Sequence, residues 1–285
     1  MMQSEGFVEG DPKAKVCLLQ KAIIYSKDGV TIILPVFVDD ITLASQSESA
    51  IQFFITQLSQ HFKFCDLGPT TQLLGIKIDR DCPKHSISLS QRQYCLDVFD
   101  RFGMADCKPI STPMEPSLHL SHTQIPQNAQ ECATMCQTPY LSAIGALMYL
   151  ATTTCPDIAY TVGILARFNS NPCWTHWLAV KHLLHYIKGI IDYSIIYSHD
   201  PAQPETFIMF SDADHDGCKD TGHSTGGYVV KMGTGAVSWS SKLQNIVALS
   251  TTEAEYMAAV QAGKEIKWMH NLMHRLPENT LCFFL

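Results

Sequence analysis

The sequence predicts a mixed α/β (α+β) chain, and three observations carry that expectation. Residues 21–45 hold Val- and Ile-rich runs broken by turn residues. The stretch from Tyr140 to Lys188 spaces its apolar residues three and four apart. The last third returns to short β-branched runs and then to one long helical pattern opened by Ser250.

Lys21–Ser26 and Val30–Val38 read as strands joined by the turn Lys27-Asp28-Gly29, and Pro35 places the second near an edge or bulge. Asp39-Asp40 breaks this run and Ile41–Ala44 resumes it, the pattern of a β-hairpin with an acidic tip. Ile51, Phe54, Ile55, Leu58 and Phe62 recur at helical spacing, with Ser47 or Ser49 as the cap. Leu73–Ile78 and Ser86–Leu89 read as a strand pair, and Gln91–Phe102 as a helix stopped by Gly103. Pro109 to Gln137, with four prolines among many polar residues, reads as a long surface connection. Three apolar helices follow, Tyr140–Ala151, Asp157–Phe168 and Trp174–Lys188, the last expected to stop at Gly189. Pro201 and Pro204 mark a second linker. Beyond it, strands are expected at Phe207–Phe210, Gly226–Lys231 and Ala236–Ser240, then a helix from Ser250 to about Met273 with Ala259, Ala262, Ile266, Met269 and Met273 as its buried stripe.

Hydrophobic residues make up 46% and charged residues 16% of the 285, which describes a globular chain. The net charge of -7 counts against autonomous tight binding of nucleic acid, since such binders must neutralise phosphates. The 11 cysteines fall at irregular spacings with no C-x-x-C pair and read as reduced thiols, Cys132 and Cys136 included. His182 and His185 are either half of a metal site or two ordinary helix residues. The opening Met-Met-Gln-Ser-Glu-Gly has neither a basic nor an apolar signal region, and no apolar run reaches the ~20 residues of a membrane span. An intracellular protein with no membrane partner is therefore expected.

Two groups of residues carry chemistry. Adjacent carboxylates at a hairpin tip, Asp39 and Asp40, are either an ordinary acidic turn or a site for Mg²⁺, a hard cation that also binds substrate phosphates. In the last third, Asp212 and Asp214 share one face of a strand because side chains alternate. Ser250-Thr251-Thr252-Glu253 has the form of a capping box, which assigns Glu253 to the backbone N–H of Ser250.

Val36-Phe37-Val38-Asp39-Asp40-Ile41 resembles the Y/F-V-D-D box of reverse transcriptases. Asp66-Leu67-Gly68, Leu73-Leu74-Gly75-Ile76-Lys77-Ile78, Arg101-Phe102-Gly103-Met104, Thr112-Pro113-Met114, Ile144-Gly145-Ala146-Leu147-Met148-Tyr149-Leu150, Pro156-Asp157-Ile158-Ala159-Tyr160 and Tyr186-Ile187-Lys188-Gly189 are similar, in the same order, to segments of Ty1/copia-type retrotransposon polyproteins. Phe210-Ser211-Asp212-Ala213-Asp214, Ser224-Thr225-Gly226-Gly227-Tyr228 and Ala254-Glu255-Tyr256 resemble the ribonuclease H module of the same elements. The resemblance runs from about residue 30 to 275.

It implies a partial reverse-transcriptase palm over residues 1–115, a helical thumb or connection over 116–205 and a truncated ribonuclease H-like mixed sheet with helix over 206–285. It implies an RNA-directed DNA polymerase and ribonuclease H fragment acting on RNA template, DNA primer and RNA–DNA hybrid, in the cytoplasm or a virus-like particle. Asp39, Asp40, Asp212 and Glu255 become the catalytic, metal-holding residues, with Mg²⁺ or Mn²⁺ as cofactor; Asp214 is a neighbour of that set. The remaining polyprotein segments, integrase and upstream palm, become its partners.

Departures point the other way. The family's further carboxylates, one upstream of the hairpin and others beyond the last helix, are not in these 285 residues, so a chain inactive alone is expected. Cys155 and His223 stand where the family carries Arg, and His215 where it carries Trp. The alternative is a non-catalytic relic with weak or no nucleic-acid binding. An unrelated metal-dependent hydrolase using Asp212, Asp214 and Glu255 would not explain the collinear series.

Overall fold

The computed structural model describes residues 23–27, 30–37, 40–124, 126, 128–198 and 207–274. Strands and helices alternate in blocks, as an α/β (α+β) chain requires. Contacts divide it into two compact units, one holding the described residues up to Thr70 and the other Thr71–Leu272.

In the first unit β1 (Ile23–Lys27) pairs antiparallel with β2 (Val30–Leu34). Pro35 has no N–H to continue the ladder, and β2 ends there. Its carbonyl instead accepts the Thr42 N–H at 3.1 Å. The chain resumes as the two-residue hairpin β3 (Val36–Phe37) and β4 (Asp40–Ile41), in register Val36↔Ile41 and Phe37↔Asp40. β5 (Ala44–Ser45) returns to the free side of β2. α1 (Glu48–Ser59) is capped by Ser47, whose hydroxyl accepts the Ala50 N–H at 3.3 Å.

The second unit opens on β6 (Gln72–Leu73), β7 (Ile76–Asp81) and β8 (Ser86–Ser90), antiparallel in that order. α2 (Arg92–Arg101) follows and ends before Gly103, which takes the left-handed conformation at φ +64°. Then come α3 (Ala129–Gln137), α4 (Tyr140–Thr153), α5 (Ala159–Ala166) and α6 (Trp174–Ile190). Their apolar faces make one core in which Leu147, Leu150, Ile158, Val162, Leu165, Leu183 and Leu184 are fully buried. β9 (Ile195–Ser198) returns to the first sheet beside β8.

The last block is the antiparallel sheet β10 (Phe207–Ala213), β11 (Thr225–Met232) and β12 (Gly235–Leu243), followed by α7 (Thr251–Met273). Gly226 lets α7 close on the sheet: a Cβ there would stand 3.3 Å from the Ala258 Cβ. The other face meets the helical core, where the Trp239 indole N–H donates to the Ala151 carbonyl at 2.7 Å.

Several local expectations change. The connection 109–137 is not all surface loop. Asn128 caps α3 by accepting the Glu131 N–H at 2.8 Å, and Leu120 and Met135 enter the core. The polar composition of that stretch concealed an Asn-x-x-Glu capping pattern. Gly189 does not stop α6. The helix runs on to Ile190, and the glycine serves the close approach of the Ile110 carbonyl, 3.3 Å from where a Cβ would be. The buried stripe of α7 is Ala254, Ala258, Ala262 and Met269, while Ala259 is exposed. The helix meets the sheet through its smallest residues, because Gly226 brings the two backbones close. No helix among the described residues is long and apolar enough to cross a membrane.

Candidate active site

Of the acidic pair in the first unit, Asp40 opens β4 and is exposed, whereas Asp39 lies outside the described residues. The other carboxylates belong to the second unit and start from β10. This strand lies at the edge of its sheet, and Phe210, Ser211 and Asp212 along it are all exposed. Ala213 pairs with Gly226, which lies under α7, and Asp212 pairs with Gly227. Strand alternation therefore aims Asp212 at the face away from α7. Glu255 stands exposed on α7, one residue past the buried Ala254. Neither carboxylate has a hydrogen-bond or ion-pair partner among the described residues.

Their acidic neighbours are engaged. Asp214 leaves the strand and turns back. Its N–H donates to the Thr225 carbonyl at 3.1 Å, and its carboxylate accepts the Thr225 N–H. Gly217 makes room for that carboxylate; a Cβ there would collide with it. Asp214 thus pins the loop between β10 and β11. Glu253 caps α7. Its N–H donates to the Ser250 hydroxyl at 3.2 Å, and its carboxylate accepts the Leu249 N–H at 2.8 Å. The reciprocal bond reaches the Leu249 N–H rather than the expected Ser250 N–H.

This division of labour is measurable. Glu253→Ala removes one half of a capping box and is expected to cost about 1 kcal/mol of stability. Glu255→Ala is expected to stay within about 0.5 kcal/mol of the parent. Urea unfolding of both variants checks this; equal losses would show that Glu255 also has a structural bond.

His182 and His185 do not form half of a metal site. His182 Nε2 lies 3.0 Å from the Thr112 carbonyl and His185 Nδ1 lies 2.6 Å from that of Lys108, so the pair pins residues 108–112 along α6. Lys188 adds a bond to the Ala105 carbonyl at 2.8 Å.

Exposed carboxylates are the right donors for Mg²⁺, which prefers hard oxygen. Among the described residues, however, no three Asp, Glu, His or Cys side chains gather in a geometry that could hold a metal ion. The donors suit an ion held jointly by one or two carboxylates and substrate phosphates, and not one caged by protein alone. Past the end of β10 a cleft of about 640 Å³ opens between residues 113–122, α5 and residues 215–221. Asp212 and Glu255 are not among its walls, but Tyr160 and Arg167 are. The sequence reading passed over Arg167; its signal is a lone cation at the end of the apolar stretch 158–168.

The model of the reverse transcriptase (RNA-dependent DNA polymerase) family matches residues 13–116. The Pol polyprotein of transposon TNT 1-94 from Nicotiana tabacum is 41% identical over 86% of this chain and 18% of its own length. An uncharacterised mitochondrial protein of Arabidopsis thaliana is 35% identical over 82% of this chain and 93% of its own length. A transposon Ty5-1 protein of Saccharomyces cerevisiae is 30% identical over 82% of this chain and 74% of its own length. The chain thus spans less than a fifth of the Pol polyproteins it matches. No solved structure matches it.

Proposed function

We propose that this chain, which belongs to the family of copia-type retrotransposon Pol polyproteins, is the stretch in which a reverse-transcriptase palm gives way to a ribonuclease H module. Residues 1–115 contribute to the palm, 116–205 form the thumb or connection, and 206–285 begin the nuclease. The substrates are an RNA template with its DNA primer and the RNA–DNA hybrid that results, inside a particle or the cytoplasm.

The observation that supports the nuclease half is the contrast between two pairs of carboxylates. Asp214 and Glu253 are occupied by backbone N–H groups, while Asp212 and Glu255 stand exposed beside them. Exposed carboxylates next to occupied ones are what a site needs if it binds cation and phosphate together. In this reading Asp212, turned to the face away from α7, and Glu255 on α7 are not brought together by this chain alone; each offers an exposed carboxylate to an ion and substrate phosphate, while Asp214 holds the adjoining loop and Glu253 keeps the first turn of α7 in place. Asp40, with Asp39, serves the polymerase half in the same way. Mg²⁺ or Mn²⁺ bound there supplies positive charge to the attacking and leaving oxygens.

At most two carboxylates per site leave a paired-ion arrangement incomplete, since two divalent ions repel unless several carboxylates lie between them. The isolated chain is therefore expected to show no primer extension and at most trace hybrid cleavage with either metal. The test uses the purified chain with a primed RNA template and a labelled hybrid. Robust turnover by the chain alone would sink the incomplete-site reading. A polyprotein containing this segment that neither extends nor cleaves would favour a non-catalytic relic.

A further inference from the structure

The cleft past β10 has a composition the carboxylate site does not use. Its volume, about 640 Å³, lies within the range of small-ligand sites. Arg167 on its wall takes no part in the ion pairs found among the described residues, which are Lys77–Asp79, Lys84–Asp81 and Arg92–Asp192. The hydrogen bond its guanidinium makes among the described residues is a long one, 3.4 Å, to the Thr225 hydroxyl. Lys219, exposed on the facing loop, supplies a second cation, and His119, His122 and His215 supply imidazoles.

Three carboxylates, Glu115, Asp216 and Asp220, also line the cleft, and Asp220 is engaged by hydrogen bonds across it. Asp220 accepts the Ser121 hydroxyl at 2.5 Å and the His122 N–H at 3.0 Å. Those bonds tie residues 121–122 to the loop, closing one wall, and hold its carboxyl below the usual range. Asp216 sits at the loop's left-handed turn, φ +56°, with a carboxylate oxygen 3.4 Å from where a Gly222 Cβ would lie. Glu115 lies on the opposite wall. Arg167 acts on Asp220 electrostatically but forms no close ion pair with it among the described residues, so its planar fork is open to a doubly accepting anion.

We propose that the cleft is a phosphate subsite, with Arg167 and Lys219 gripping the oxygens of a phosphate ester beside Tyr160. It is separate from the Asp212 carboxylate and does not depend on nuclease chemistry. The ester comes either from a free nucleotide or from a nucleic-acid backbone, and the experiment separates these sources.

The full chain is titrated by calorimetry with inorganic phosphate and with adenosine 5′-monophosphate, and by fluorescence anisotropy with a labelled RNA–DNA hybrid. Arg167→Gln is expected to weaken phosphate-ester binding about tenfold. Lys219→Met, at an exposed loop position where substitution is expected to leave the fold intact, is expected to weaken it about threefold. The titrations are run without divalent metal, and Lys77→Met, an exposed cation outside the cleft, should leave phosphate binding unchanged, so failure here is distinguishable from failure of the metal-dependent nuclease reading. Displacement of the hybrid by phosphate assigns the cleft to the backbone; phosphate binding without displacement assigns it to a free ester. If the parent chain binds neither small ligand, or both cation variants bind like the parent, the proposal is overturned.

Discussion

Asp212→Asn, made in a Pol polyprotein that carries this segment, is expected to lower cleavage of an RNA–DNA hybrid by on the order of 10²- to 10⁴-fold, and Glu255→Gln to do the same. The substitutions keep shape and remove charge. Each side chain is exposed and has no partner among the described residues, so the fold should lose little. The whole effect should then fall on turnover and on metal dependence, raising the Mg²⁺ concentration needed. Asp214→Asn makes the instructive contrast. Its carboxylate accepts the Thr225 N–H and fills the space beside Gly217. That variant should lose stability first and activity as a consequence, visible as a lowered unfolding midpoint. If Asp212→Asn cleaves at the parent rate while Asp214→Asn is dead and stably folded, the two aspartates have been assigned the wrong way round.

Acid should weaken the second unit through one histidine. His176 is 1% exposed in α6, stacked on the Phe168 ring at 4.0 Å between centroids. Its Nδ1 accepts the Cys173 N–H at 2.9 Å, which caps the start of the helix, and its Nε2 is buried without a partner. Taking a second proton would break the cap bond and leave a charge in the core. Burial, aided by the nearby His122 and opposed by Asp220, pushes its pKa down to about 4 from an ordinary 6.5. The sign follows from linkage: as pH falls below 6.5 the unfolded chain takes the proton and the folded one does not. Stability present above pH 6.5 is therefore lost progressively down to about pH 4, by roughly 3 kcal/mol in all. Urea midpoints measured from pH 7.5 to 4.5 should fall in the parent and flatten in His176→Gln, which keeps a polar group near the cap. A parent midpoint unchanged across that window would show that His176 is charged when folded.

Much of the architecture was legible because it depends on neighbours in sequence. Ser47 capping α1, Gly103 after α2 and the apolar spacing of α4 to α6 are local effects, and each is found where the pattern put it, whereas Pro35, expected inside one edge strand, instead splits that run, and β2 lies in the centre of its sheet between β1 and β5. β9 was missed. Ile195–Ser198 is β-prone in composition, with two Ile and a Tyr, but four residues are too few for a period, and what makes them a strand is the open edge of β8. Gly189 was misread for a similar reason: a glycine that ends a helix and one that admits a neighbouring chain look alike until the neighbour, here Ile110, is in place.

The candidate site divides along the same line. The order of its motifs and the chemical type of its carboxylates are properties of the sequence, and they were enough to place the chain in its family. Which carboxylates are occupied is decided by tertiary structure. Asp212 and Asp214 are two residues apart and look equivalent, yet one is exposed and the other is spent on Thr225, because β11 returns antiparallel and brings that N–H to it. Glu253 and Glu255 separate in the same way, through the position of Leu249 ahead of the cap. The cleft at Arg167 has no sequence signature at all, since its walls come from residues 113–122, α5 and 215–221, about fifty residues apart at each step. Hydrogen bonds and cavities between distant segments exist only once the chain has paid the entropy of closing those loops, and a linear pattern does not record which segments meet.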